Sequence, residues 1–310
     1  MNKKTLFGHV ITLFTVFIWG ITFISTKVLL KNLHPIEILF FRFLMAYIAL
    51  LLIHPRFKKP GSWKEELLFL AAGLCGVTVY FLMENISLEY TLASNTSLLV
   101  SLAPVFTAIL AHLFVKGERL NPGLVLGSLM AFGGVFLVIF NGNYVLKLNP
   151  LGDLLAVAAA LIWAIYTILL NKLGSGYNNL YLTRKIFFYG LLTMLPALFI
   201  FKVDFKMEKL LLPGVLPNLL FLGLVASSLC YILWNMAVNS IGVVKASSYI
   251  YVVPLVTILT AVIVLGERIT ALAAAGSVLI LSGVYISERG GKIIPALRQC
   301  LGAFKNSSPS

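Results

Sequence analysis

Long apolar runs alternate with short polar breaks along almost the whole chain. Ten runs are readable, with approximate limits His9–Leu30, Pro35–Ile53, Leu67–Leu88, Ala93–Val115, Pro122–Phe140, Leu151–Leu173, Leu180–Phe201, Gly214–Val238, Val243–Leu265 and Ala271–Ser287. Each is close to the roughly 20 residues that a helix needs to cross a bilayer. The breaks carry turn residues: His34-Pro35, Pro60-Gly61, Asn121-Pro122, Asn141-Gly142, Asn149-Pro150 and Pro213-Gly214. The pattern predicts an all-α polytopic membrane protein with ten transmembrane helices. Composition agrees: 60% of residues are apolar and 11% charged, against about 25% charged in soluble domains. The formal charge of +13 does not read as nucleic-acid binding, because the basic residues sit between apolar runs. With the N-terminus inside, about two thirds of the lysines and arginines fall on the cytoplasmic side, which predicts that both termini are cytoplasmic. The first run is long and lacks a small-residue cleavage site, so it counts as the first span rather than a signal peptide.

One stretch occurs twice. Ala93–Arg119 and Val243–Arg268 align with Ser97 on Ser247, Pro104 on Pro254, Thr107 on Thr257 and Ala111 on Ala261. Gly117-Glu118-Arg119 falls on Gly266-Glu267-Arg268 once one extra residue is allowed in the first copy. Further pairs are Trp19 with Trp163, Arg42 with Arg184 and Asn85 with Asn235. Five spans per half is an odd number, so the halves are expected to lie upside down relative to each other, with a substrate site near the midplane. Each proline is expected to kink its helix and to leave the carbonyl four residues earlier, at Val100 or Ile250, without its amide partner. Hydrocarbon cannot satisfy such a carbonyl, so a neighbouring helix, a polar side chain or a wet cavity must. Gly-Glu-Arg is expected to end each helix, with glycine at the cap.

These features resemble the drug/metabolite transporter superfamily in its ten-helix EamA-type branch, from about His9 to Ser287. The resemblance rests on Trp19-Gly20 in span one, Arg42 early in span two, the ASNTSLLVSLAPVFTAIL stretch and the doubled Gly-Glu-Arg. It implies an inner-membrane permease with two inverted five-helix repeats around a central cavity. The expected divisions are 1–145 and 146–290 for the repeats, and 291–310 for a short cytoplasmic tail that could lie on the inner leaflet as an amphipathic segment. Members export amino acids and other small metabolites.

Polar stripes from six spans are the candidate cavity lining. Span one offers Trp19 and Thr22 within a stripe of threonines, span three Tyr80 and Glu84, and span four Ser97 and Ser101. Span six offers Trp163 and Tyr166, span eight Tyr231 and Asn235, and span nine Tyr251. Hydroxyls and amides suit the ends of a small zwitterion, and aromatic faces suit its side chain. For any one hydroxyl the alternative is close helix packing by small residues. Trp19 and Trp163 are expected to face each other across the cavity.

Charges within spans are costly and therefore informative. Lys27, Arg42 and Glu84 fall at similar predicted depth, as one cluster near the outer mouth, with Arg184 as the counterpart of Arg42. Snorkelling to the interface is the alternative for Lys27 and Arg42. Glu84, which falls opposite Trp234 under the repeat, either carries a proton with each cycle or stays charged as a gate latch. The two basic neighbours favour the latch.

Three functions compete: an exporter of amino acids or similar metabolites, a drug or organic-cation exporter of the same fold, and a membrane-embedded enzyme. A cation exporter needs a carboxylate or an aromatic cage, and Glu84 alone offers the first. A lipid or acyl transferase needs a His/Asp or metal cluster, and the dispersed His9, His34, His54 and His112 form none. No phosphate loop is present, so no ATP hydrolysis, cofactor or metal is expected. Cys75, Cys230 and Cys300 are expected as free thiols. Asn85-Ile86-Ser87, Asn95-Thr96-Ser97 and Asn306-Ser307-Ser308 fit the glycosylation pattern but lie in or beside spans or on the cytoplasmic side. The expected partners are a small-molecule substrate and the lipid bilayer, with no nucleic acid, and the protein is expected as a monomer or homodimer.

Overall fold

The structure, a computed structural model, describes residues 3–56, 61–118, 120–140, 149–174, 176–201, 203, 205, 207–265, 271–272 and 275–287. The second Gly-Glu-Arg at 266–268, Arg119, Cys300, Asn306-Ser307-Ser308 and the tail lie outside the described residues. Among the described residues every regular element is helical. Among the described residues, eight helices are long and apolar enough to cross a membrane. Two shorter apolar helices, Pro122–Leu137 and Ala275–Ser287, fall where spans five and ten are expected.

Span ends follow local chemistry. His34 caps the helix Pro35–Ile53 by accepting from Ile36 N–H, and Glu37 reaches back to the His34 N–H at 2.7 Å. That capping box, with proline just inside the helix, accounts for the sharp turn between spans one and two. Ser62 and Asn149 cap spans three and six in the same way, through Glu65 N–H and Gly152 N–H. Gly117, just past the end of span four, takes φ +90°, a left-handed conformation that glycine adopts without strain.

Four spans are irregular, and they form matching pairs. Span three is α-helical over Trp63–Gly73, π-helical over Leu74–Val79 and α-helical again over Tyr80–Tyr90. Span eight repeats the sequence of elements with a π-helical stretch at Phe221–Leu229 between Val215–Leu220 and Cys230–Ile241. Span four breaks between Ala93–Val100 and Ala103–Phe114. Span nine is interrupted by a 3-10 turn at Tyr249–Val252 between Val243–Ser248 and Val253–Leu265.

The packing pairs also exchange between the halves. Span three lies on span six as span eight lies on span one, and span four lies on span six as span nine lies on span one. Span two meets the π stretch of span eight, and span seven meets that of span three. Small residues permit the closest crossings. A Cβ at Gly127 would lie 2.3 Å from Ser287 N, and one at Gly134 would lie 2.6 Å from Gly276 O, so spans five and ten touch backbone to backbone. Gly20 serves span nine in the same way: a Cβ there would lie 2.5 Å from Val256 Cβ, and the Thr257 hydroxyl donates to the Gly20 carbonyl at 2.9 Å.

Candidate functional site

Spans one, two, three, four, six and nine converge on one narrow cavity of about 30 Å³. Its wall comprises Trp19, Thr22, Phe23, Arg42, Tyr80, Phe81, Glu84, Val100, Trp163, Ile250 and Val253. Trp19 and Trp163 meet edge to face with ring centroids 5.1 Å apart. Tyr80 packs on Trp163 at 4.9 Å. The two tryptophans thus touch directly instead of standing apart across the space.

Each proline-bearing span contributes its interruption to the wall. The helix that ends at Val100 restarts at Ala103, with Pro104 in the new first turn, where a missing N–H costs little. In span nine the Ile250 carbonyl is not left open: the 3-10 turn brings it the Val253 N–H. Val100, Ile250 and Val253 all face the cavity. Restoring the amide in Pro104→Ala or Pro254→Ala is expected to straighten the helix and draw these residues off the wall. The expected gain in stability is only about 1 kcal/mol, because both prolines already sit in first turns. Transport is expected to slow several-fold. Melting temperature and transport rate measured together check this, and unchanged transport in both variants would reduce the breaks to packing features.

The charged residues separate. Arg42 is 1% exposed and lies in the cavity wall with Glu84, close enough for their charges to interact. Its Nε donates to Ser227 Oγ at 3.0 Å, in the π stretch of span eight, and its guanidinium lies 4.3 Å above the Phe81 ring. A cation over an aromatic face gains electrostatic stabilisation that helps offset its burial. The Tyr80 hydroxyl, one turn before Glu84, lies near enough to its carboxylate to interact with it. Lys27 stands outside this group. It donates to the carbonyls of Leu88 and, at 3.0 Å, Thr91, so it caps the end of span three and has Glu89 as its charged neighbour. Arg184 is also elsewhere. It donates to the His54 carbonyl and, at 2.6 Å, to that of Arg56, tying span seven to the end of span two.

The other expected lining residues are placed behind the wall. The Tyr231 hydroxyl donates to the Gly76 carbonyl at 2.6 Å, in the π stretch of span three. Asn235 accepts from Tyr166 at 3.4 Å and donates to Thr183 at 2.8 Å. Ser101 donates to its own helix at the Leu98 carbonyl. Ser97 and Tyr251 are fully buried and do not line the cavity. The threonines of span one behave alike: Thr12 and Thr15 donate one turn back, to Gly8 and Ile11. Span eight therefore gives the wall no residue, and span two takes its place through Arg42. Trp234, the counterpart of Glu84, is buried against Trp19 with centroids 5.1 Å apart. Asn85 and Asn95 are buried too, which removes two of the glycosylation motifs.

Away from the cavity, polar ties join spans three and seven at one end. Lys185 pairs with Glu66 at 2.6 Å, and Tyr189 donates to the same carboxylate at 2.6 Å. Tyr177, in the connection before span seven, donates to Glu65, and its hydroxyl is pushed up to about 12 by burial and by that bond. Near Gly117, burial raises the Glu118 carboxyl and Lys245 opposes the shift. Sequence reasoning passed over Glu37, which is 2% exposed but engaged by the His34 N–H and by Lys209 at 3.6 Å. It also passed over Phe23 and Phe81, which carry no signal to distinguish a cavity wall from a core.

The EamA-like transporter family matches residues 6–140 and again residues 150–288. An uncharacterized transporter of Archaeoglobus fulgidus is 32% identical over 293 residues, 93% of this chain and 98% of its own. A probable amino-acid metabolite efflux pump of Escherichia coli is 26% identical over 307 residues, covering 94% of this chain and 96% of its own. A solved crystal structure superimposes with a TM-score of 0.73 at 18% identity, covering 90% of this chain and 96% of that one, and so shares the fold.

Proposed function

This chain belongs to the EamA-like transporter family and is a multi-pass membrane transporter, and from that premise we propose that it exports amino acids or similar small metabolites across the cell (inner) membrane by alternating access. The observation that carries the reading is a cavity built from both halves: Trp19, Arg42, Tyr80 and Glu84 come from the first, and Trp163, Ile250 and Val253 from the second. A site at the seam between two halves opens to either side as one half rocks against the other. Residues 1–145 and 146–290 act in this reading as inverted repeats, with both termini cytoplasmic. The paired π stretches, the paired breaks in spans four and nine and the exchanged packing partners support it. The efflux pump similar to this chain supports amino acids as the cargo. An organic-cation exporter is the poorer reading, because Arg42 shares the cavity with Glu84 and offsets its charge. Inverted vesicles carrying the protein are expected to accumulate labelled amino acids above empty vesicles and to leave a cationic dye outside. Dye uptake without amino-acid uptake would sink the proposal.

A further inference from the structure

We propose that Arg42 and Trp163 form a carboxylate subsite in the cavity and that Glu84 takes the ammonium group of the same molecule, so that the site selects α-amino acids with both ends free and an apolar side chain. The inference rests on the amino-acid reading above and deepens it by assigning residues to each end of the substrate.

The starting observation is a pair of unmet donors. Arg42 is 1% exposed, yet only its Nε is used, on Ser227; Nη1 is buried without a partner. The Phe81 and Phe43 ring centroids lie 4.3 and 5.3 Å from the guanidinium carbon, and these contacts offer its N–H groups no hydrogen-bond acceptor oxygen. Trp163 is 3% exposed, and its Nε1 is likewise buried without a partner. Its counterpart Trp19 donates the same group to the Ala226 carbonyl at 3.1 Å. The difference between the paired tryptophans is therefore one free N–H, in a residue that lines the cavity with Arg42. Buried donors are normally satisfied, and leaving one open is costly, more so for a charged group. A carboxylate answers both needs, since it offers two acceptor oxygens and one negative charge.

Glu84 decides which carboxylate. It lines the same cavity and sits close enough to Arg42 for the charges to interact. These two are the charged groups of the wall, one of each sign. A dianion such as a phosphate ester would face one cation and one repelling carboxylate. A simple amine would leave Arg42 and the Trp163 N–H open. A zwitterion matches both signs. Phe23, Phe81, Val100, Ile250 and Val253 make much of the remaining wall apolar, which suits an apolar side chain.

The test is binding to the purified full chain by calorimetry, with thermal shift beside it. The probes are L-leucine, L-methionine and L-phenylalanine, together with L-leucinamide, 3-methylbutylamine and 4-methylpentanoate. The parent is expected to bind at least one of the three amino acids. It is expected to hold leucine ~10-fold or more above the three leucine analogues, each of which lacks one charged end. Arg42→Gln should abolish the preference for acid over amide, with Arg42→Lys recovering it in part. Glu84→Gln should abolish the preference for leucine over 4-methylpentanoate. If Arg42→Gln does not fold, Trp163→Phe keeps the ring, removes the N–H and should lower the acid-over-amide ratio several-fold. Equal binding of leucine and leucinamide by the parent would overturn this inference alone, as would an unchanged ratio in Arg42→Gln or, failing that, in Trp163→Phe. Binding of the amine with none of the three amino acids, or of no probe at all, would overturn both this inference and the amino-acid reading.

Discussion

Truncating Trp163 to alanine is expected to cost about 3–5 kcal/mol of stability, the range for removing a buried large aromatic. The ring touches Trp19 at 5.1 Å, Tyr80 at 4.9 Å, Tyr166 at 5.1 Å, Trp234 at 5.8 Å and Tyr231 at 5.9 Å between centroids. Those partners sit on spans one, three, six and eight, so one side chain joins both halves of the molecule. Edge-to-face aromatic contacts each add about 0.5–1.5 kcal/mol beyond burial. The loss is a large share of the 5–15 kcal/mol that folded proteins typically hold. Trp19→Ala is expected to cost less, because Trp19 is only partly buried, although it gives up the bond to Ala226. Binding and folded yield are therefore expected to fall together in Trp163→Ala. Thermal unfolding in detergent with yield by size exclusion checks the order, and a Trp163→Ala protein that melts with the parent would show that the ring is not the joint between the halves.

The ten spans were legible because length and hydropathy alone set them, and the chain's turn residues fall where helices start and stop. The doubled stretch was legible because Pro104 and Pro254 cannot be hidden in a membrane helix, and both mark true interruptions. The lining was only partly legible, because a polar side chain in a span is marked as interior without a sign of whether it faces a cavity or bonds to a neighbouring helix. Tyr80 and Glu84 line the cavity, whereas Tyr231 and Asn235 are taken up by the Gly76 carbonyl, Tyr166 and Thr183, partners that only the folded packing supplies. Arg42 was legible as a costly buried charge, and depth placed it with Glu84. Depth also placed Lys27 beside them, because it ignores the carbonyls at the end of span three, which take the Lys27 ammonium instead.

A single methyl at Gly73 is expected to lower the melting temperature by several degrees, and the same methyl at Gly133 to leave it unchanged or raise it. A Cβ at Gly73 would lie 2.6 Å from Gly190 N and 2.8 Å from Ile186 O. Both are backbone atoms of span seven and cannot rotate away, so the two spans must separate. The neighbouring contacts resist separation. Thr78 Oγ1 donates to the Gly190 carbonyl at 2.8 Å and lies 2.7 Å from Thr193 Oγ1, and Lys185 holds Glu66 across the same seam. Overpacking of this kind costs about 1–3 kcal/mol, and each strained hydrogen bond adds about 1 kcal/mol. Gly190→Ala meets Val77 Cβ at 2.5 Å; that atom is fixed to the span-three backbone and no rotamer change clears it, so its cost is expected to be similar. At Gly133 the nearest atom is Leu279 Cδ2 at 3.9 Å, and there alanine gains up to about 1 kcal/mol of helix propensity. The expected order of melting temperatures is Gly133→Ala at or above the parent, with Gly190→Ala and Gly73→Ala both below it. A Gly73→Ala protein as stable as the parent would mean that spans three and seven are not held at backbone contact, and that the π stretch between Gly73 and Tyr80 is free to absorb the change.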